Sequence, residues 1–424
     1  MLISLIVLLT VMVLGVPIGF AIGVSGLAYF LLADVSTMIL TQKMVGQLSS
    51  VPLLGVPFFI LAGELMTQGG ITLRLFNFAL AIVGRIPGAL GHANIVASMI
   101  FSGISGSAVA DIAGLGKVEL DAMRRNGYPD DVSIGVTAAS STLGPIIPPS
   151  INAVIFGSMA AVPVGPLLIG GIIPGIIAGI AMMITFAVIF ARRGIVTRVP
   201  PKVSLVKATR DAIGALLTPI ILLGAMFSGV ATPTEAAVLA CVYAWFVAAV
   251  IYRELTLSQF AACLLRTTIL SGAVMLIIGL AAPLGYVVAR ERVAADLTLS
   301  LVQYWVDPTG VILAILVLLL LAGCVLEVGA AIILLTPLIY PALLTLNFDP
   351  VHIGMLIIFG LGIGLITPPV GLCLFVGSQI SGLSVHRVAV ACTPYVVTLI
   401  AVLVLLSFVP QLTTWLPEIV YGKS

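Results

Sequence analysis

Apolar runs of about 18 residues or more recur from one end of the chain to the other, each long enough to cross a bilayer. That pattern leaves few folds open. Hydrocarbon holds no water, so every spanning backbone group must be satisfied within the structure, and only helices and closed barrels manage this. A barrel would show alternating strands of about ten residues, which these runs are not. The runs predict an all-α polytopic membrane protein. Composition agrees: 61% of the 424 residues are hydrophobic and 8% are charged, against roughly a quarter charged in soluble domains. Met1 to Leu32 is apolar, lacks a basic lead and is too long for the core of a cleavable signal, so it reads as a first span.

Several function classes drop out. A net charge of +2 leaves no footprint for nucleic acid. "GLGKV" at 114–118 lacks the spacing and the Ser/Thr of a phosphate-cradling loop, and no HExxH is present. Cys241, Cys263, Cys324, Cys373 and Cys392 lie in or beside apolar segments without metal spacing and read as small packing residues. A pump built on this chain would draw on an ion gradient or on another subunit.

Arg192, Arg193, Arg198, Lys202, Lys207 and Arg210 fall in one polar linker, six of the eighteen Lys/Arg. Such a cluster faces the cytoplasm and separates an N-terminal half from a longer C-terminal part. Slid by 220 residues, the sequence matches itself without gaps. Gly103 falls on Gly323, Ala110 on Ala330, Ile112 on Ile332 and Leu115 on Leu335. Gly144 falls on Gly364, Ile146 on Ile366, Pro148 and Pro149 on Pro368 and Pro369, Gly157 and Ser158 on Gly377 and Ser378, and Pro174 on Pro394. The prolines and glycines carry the match because they govern backbone geometry. Charge orients the copies. The first carries Arg124 and Arg125 before its proline pair, whereas the second carries Arg387 after it, so the basic ends are opposed and the repeat is inverted.

Residues 92–126 and 310–346 hold too many Gly, Ser and Pro for single spans and read as helical hairpins that enter the membrane and return. Two helix breaks follow them, "STLGPIIPPS" at 141–150 and "GLITPPVG" around 364–371. Proline cannot donate to the carbonyl four residues back. By that rule Pro148 frees the carbonyl of Gly144, Pro145 that of Ser141 and Pro368 that of Gly364. A freed carbonyl in hydrocarbon costs several kcal/mol unless water, a hydroxyl or a cation answers it. The half-helix starting near Ser150 points its positive end at the same gap, which suits an anion. Broken helices in an inverted repeat are the pattern of a transporter's binding site, although a plain proline kink remains the bland alternative.

The tip "SGISGSAVAD" offers Ser105 and Ser107 as oxygen ligands for a cage begun by Gly144, with back-bonding to helix carbonyls as their ordinary role. Glu327 aligns with Ser107 in the second copy and makes that site more acidic. Asp111, one turn past the tip, is placed near the site, and Glu64, close to "TQGG", is expected at an interface. "TPTE" at 232–235 reads as a structural capping box. "GISG" at 103–106 fits an intramembrane serine protease, but that chemistry needs a base near the serine. The three histidines, His92, His352 and His386, all fall near expected span ends.

"GVPIGFAIG", "PFFILAGELM", "SGISGSAVAD", "GPIIPPS", "TPTEAA" and "GLITPPVG", in this order, resemble the large membrane subunit of the tripartite ATP-independent periplasmic (TRAP) transporters. The resemblance runs over essentially the whole chain. It implies about eleven transmembrane helices and two re-entrant hairpins in an inverted-repeat, elevator-type transporter of the bacterial inner membrane. It also implies sodium as coupling ion with no cofactor besides, a periplasmic substrate-binding protein that delivers a carboxylate-bearing organic acid, and a separate small four-helix membrane subunit. Scaffold helices would occupy 1–91 and 211–309. The first transport repeat would occupy 92–193, the basic linker 194–210, and the second repeat with the C-terminal helix 310–424.

Carried over from the family, the first sodium site would use Ser105 and Ser107 with the carbonyls of Gly144, Ile147 and Pro149. The second would use Gly364, Thr367 and Pro369 with Glu327 and Gly329. At that second tip the chain departs from the family pattern, reading "LEVGAA" where Asp followed by Thr or Pro is common. Substrate would lie between the tips near Ser150, Asn152 and Asp111. A stand-alone sodium-coupled anion symporter, an intramembrane protease and a non-transporting scaffold are the competing readings.

Overall fold

The computed structural model describes residues 2–197, 203–291 and 308–422. Arg198 and Lys202 of the basic cluster lie outside the described residues. Every regular element among the described residues is helical. The N-terminal group is α1 (Leu2–Val13), α2 (Ile18–Leu32), α3 (Thr37–Leu48), a 3-10 turn at Val51–Leu54, α4 (Gly55–Gln68) and α5 (Ile71–Val83). A first hairpin follows, α6 (Ala89–Ser105) returning as α7 (Ala108–Gly114) and α8 (Gly116–Arg125). Behind it stand a broken helix, α9 (Asp130–Ser141) and α10 (Ile151–Ala160), and then α11 (Val164–Gly170) and α12 (Ile172–Arg192).

The middle of the chain forms α13 (Leu205–Phe227), α14 (Pro233–Phe246) and α15 (Leu257–Arg290). The second hairpin is α16 (Pro308–Gly323) and α17 (Val328–Thr345), and its broken helix is α18 (Pro350–Gly364) and α19 (Leu372–Ser381). The chain ends with α20 (Val385–Phe408) and α21 (Gln411–Tyr421). Because α13 begins at Leu205, Lys207 and Arg210 sit on its first two turns rather than in a loop.

Among the described residues, seven helices are by themselves long and apolar enough to cross a membrane. Other apolar helices are only 10–17 residues long; for α6, α10, α16, α18 and α19 the reason is a hairpin tip or a helix break that cuts the apolar run in two. The outward faces are apolar too. On α12, Ile176, Ile180, Ile184 and Val188 form an exposed stripe at every fourth residue, while Gly175, Ala178, Gly179 and Met182 turn inward. Small residues inside and large ones outside is how helices pack when lipid replaces water as solvent. The scaffold shows the same device. Cβ atoms placed on Gly19 and Gly23 of α2 would lie 2.9 and 2.8 Å from Ile277 and Leu280 of α15.

Caps place the helix ends that matter. Thr232 accepts from the Glu235 N–H while the Glu235 carboxylate accepts from the Thr232 N–H, the box expected from "TPTE". Glu64, expected at an interface, pairs with Arg266 of α15 at 3.6 Å. All five cysteines are free and buried. The two halves interlock reciprocally: α7 packs on α19, and α17 packs on α10. Each hairpin thus meets the far piece of the other half's broken helix, as a twofold relation between the copies requires.

Candidate functional site

At the first break, the N–H groups of Thr142, Leu143 and Gly144 turn back to Ala139, Ser140 and Ser141 at 3.1, 3.1 and 3.0 Å. Ile146 and Ile147 both donate to the Leu143 carbonyl. This corrects one expectation. The Ser141 carbonyl is not freed by Pro145, because the tightened turn hands it the Gly144 N–H. No donor among the described residues reaches the Gly144 carbonyl, as the Pro148 rule requires. Ser150 closes the break by donating to the Pro145 carbonyl and accepting from Ala153 N–H at 3.2 Å, which caps α10.

The first hairpin tip sits on this break. Gly106 adopts φ +61, and a Cβ there would lie 2.6 Å from the Pro149 carbonyl oxygen. A Cβ on Gly144 would lie 2.7 Å from the Ser107 carbonyl carbon. Ser105, Ser107, Gly144 and Pro149 are therefore brought together, and only residues without side chains allow it. The Ser105 hydroxyl faces the Ser107 carbonyl at 3.4 Å, and the Ser107 hydroxyl caps α7 by accepting from Ala110 N–H at 3.5 Å. Ile147 takes its place by packing its side chain against Gly175 of α12.

The second break differs in detail. Thr367 N–H donates to the Gly364 carbonyl at 3.0 Å, so that oxygen is not freed by Pro368, again because the turn tightens to three-residue bonds. The Thr367 hydroxyl bonds back to Ile363 at 2.9 Å. The tip closes from the other side: Gly371 N–H donates to the Cys324 carbonyl at 2.9 Å, and a Cβ on Gly364 would overlap Gly323. Pro368 and Pro369 are exposed, whereas Pro148 and Pro149 are buried. Both Pro–Pro bonds are cis. Glu327 is exposed and caps α17, accepting from Ala330 N–H at 3.1 Å. Ser107 and Glu327 thus cap equivalent helices at equivalent positions of the repeat.

Asn152 and Glu327 both border Gly329 where α10 packs on α17. A Cβ on Gly329 would lie 3.0 Å from Glu327 Oε2 and 3.6 Å from Asn152 Oδ1. The first break and the second tip therefore share a boundary, with Ser150 at its edge. Asp111 is 1% exposed and faces Ser98 inside the first hairpin, with Cys373 at the start of α19 within electrostatic reach. Around it lies a buried polar group that the sequence reading passed over: Asn94, Ser98, Glu119, Thr137 and Ser140. Its signal was available in the repeat, because those positions are apolar or glycine in the second copy. A cavity of about 560 Å³ lined by Pro52, Gly165, Met226, Asp349 and Tyr421 borders neither break.

Residues 5–412 match the family described as the tripartite ATP-independent periplasmic transporter, DctM component. The chain is 41% identical over 413 residues to the sialic acid TRAP transporter large permease protein SiaM of Vibrio cholerae, covering 96% of each. It is 36% identical over 404 residues to the C4-dicarboxylate TRAP transporter large permease protein DctM of Pseudomonas aeruginosa, covering 94% of each. The chain belongs to the TRAP transporter large-subunit family. It is 37% identical to the sialic acid TRAP transporter permease protein SiaT of Haemophilus influenzae, covering 98% of this chain and 68% of that one.

These relatives are permeases, so this TRAP subunit is a multi-pass membrane transporter and not an enzyme. The protease pattern finds no support: His92 lies thirteen residues before Ser105 on the same helix. Among solved structures, the Alcanivorax borkumensis YdaH transporter superposes with a TM-score of 0.65 over 90% of this chain and 89% of that one, at 17% identity. Neisseria gonorrhoeae MtrF superposes with a TM-score of 0.63, at 13% identity, over 93% of this chain and 86% of that one. Both share the fold.

Proposed function

We propose that this TRAP subunit carries a small carboxylate-bearing organic anion inward across the bacterial inner membrane, coupled to sodium, by an elevator movement of the two hairpin–broken-helix units. The observation that supports the reading is the first break, where Ser105, Ser107, Gly144 and Pro149 are packed together and the Gly144 carbonyl accepts no hydrogen bond among the described residues. Main-chain and hydroxyl oxygens at a half-helix C-terminus suit a small cation. Ile147 completes that site. At the second site Gly364, Thr367, Pro369, Glu327 and Gly329 remain the candidate ligands, the Gly364 carbonyl keeping a second lone pair beside its bond from Thr367. Substrate would lie along Ser150 and Asn152, where the α10 N-terminus favours a carboxylate. The named relatives support an organic anion, since one is a sialic acid permease and another a C4-dicarboxylate permease. They also support two partners, a small four-helix membrane subunit and a periplasmic binding protein.

The test is uptake into proteoliposomes holding this chain, its small subunit and the loaded binding protein. Uptake is expected only with an inward sodium gradient. Ser107→Ala is expected to raise the sodium concentration needed for half-maximal uptake, at a folding cost of about 1 kcal/mol for the lost cap. Uptake indifferent to sodium would sink the coupling, and uptake without the binding protein would favour the stand-alone symporter.

A further inference from the structure

The first hairpin and the helix behind it share a polar interior. Asn94 and Ser98 on α6, Asp111 and Glu119 on α7 and α8, and Thr137 and Ser140 on α9 are each at most 1% exposed. Shifted by the repeat, they become Ala314, Leu318, Ala331, Ile339, Ile357 and Gly360. The second copy builds the same hairpin and broken helix with apolar residues or glycine at these six positions, so the fold does not require polar ones there. Ionisable groups at membrane depth are costly and mark a function by default.

This interior is rich in oxygen and short of protons. Asn94 Nδ2 donates to Thr137 Oγ1 at 2.7 Å, Ser140 Oγ to Asn94 Oδ1 at 2.9 Å, and Ser98 Oγ to Ser140 Oγ at 3.0 Å. A hydroxyl has one proton to give. With that chain complete, Ser98 has none left for the Asp111 carboxylate it also faces. Asp111 Oδ2 and Glu119 Oε1 are buried without a hydrogen-bond partner. Among the bases on the hairpin, Lys117 and Arg125 are exposed, Arg124 is paired with Asp130 at 2.7 Å, and His92 packs edge-on against Phe186 of α12. The two carboxylates are two turns apart on one helical face, about 12 Å along the axis, too far for one small ion to bridge. The Ser98 hydroxyl stands beside Asp111, and the Ser140 hydroxyl lies 3.0 Å from that of Ser98.

We propose that the interior of the first hairpin holds a sodium ion against the Asp111 carboxylate, with the Ser98 and Ser140 hydroxyl oxygens in its shell. A compact hard cation takes such an oxygen set, and it supplies the positive charge that the surrounding side chains lack. This site is additional to the two at the helix breaks, lies one turn beyond the first tip, and has no counterpart in the second copy.

Equilibrium binding of radioactive sodium to the purified transporter, this chain with its small subunit, tests it. Asp111→Asn is expected to bind one ion fewer per chain than the parent while eluting as the same monodisperse species. Ser98→Ala is expected to weaken one class of sites several-fold, and it carries the test should the Asp111 variant not fold. An unchanged ion count in Asp111→Asn, or unchanged affinities in Ser98→Ala, overturns this site and leaves the break sites standing. A parent protein that binds no sodium overturns both.

Discussion

A methyl group on Gly144 would sit 2.7 Å from the Ser107 carbonyl carbon and 2.9 Å from the Ala108 nitrogen. Both neighbours are backbone and cannot swing aside as the end of a side chain can. Overpacking of this kind costs about 1–3 kcal/mol, and here it would also push the first tip off the break. Gly144→Ala is therefore expected to melt earlier in detergent and to lose uptake beyond its loss of stability. Gly224, inside α13, has nothing within 4 Å of its would-be Cβ, so Gly224→Ala should melt later, by about 0.4–1 kcal/mol. Equal melting of the two variants would mean the tip and the break are not in contact. The sequence marked Gly144 correctly but for half the reason. Its free carbonyl follows from Pro148 by rule, whereas the need for a bare Cα appears only once the hairpin tip is seated on it.

At the scale of the element, caps and breaks were the most legible features. "TPTE" announced its box because every contact in it lies within four residues. Thr232→Ala is expected to cost about 0.5–2 kcal/mol, seen as an earlier thermal transition with an unchanged sodium activation curve. A shift in that curve would tie α14 to the ion sites. The breaks at 141–150 and 364–371 were equally plain from their prolines, but the fate of individual carbonyls was not. Residues between helix and proline turned to three-residue bonding and satisfied Ser141 and Gly364. Ser107 and Glu327, the proposed ion ligands at the two tips, also cap α7 and α17, because any oxygen-bearing side chain at a helix start finds unpaired N–H groups beside it.

For the whole molecule, the question is what moves. The Ser158 hydroxyl at the outer end of α10 meets Ser50 at 2.8 Å, and Gln47 reaches the Ser158 carbonyl at 3.4 Å. These bonds join the N-terminal helices to the first hairpin–broken-helix unit, the two bodies that the proposed elevator would slide past each other. Cysteines replacing Ser50 and Ser158 should form a disulfide, since hydroxyls this close leave their Cβ atoms about 4–5 Å apart, near the 3.5–4.5 Å that the bond needs. Uptake by the double variant is expected to stop on oxidation and return on reduction. Full uptake with the bond intact would mean that this contact never breaks during transport.

From the sequence alone came the membrane-spanning helical class, the repeat of 220 residues, the hairpins and the breaks, and through the motifs the TRAP family. Each rests on local chemistry: runs of apolar side chains, and prolines and glycines that constrain their own backbone wherever they stand. Tertiary structure decided the rest. It set the crossing of each hairpin onto the other copy's broken helix, the burial of the first proline pair against the exposure of the second, and the turning of Asp111 toward Ser98. Those outcomes depend on which surfaces of separate helices meet. No local rule encodes such meetings, because in lipid nearly every apolar face is an acceptable surface until a partner with complementary small residues occupies it.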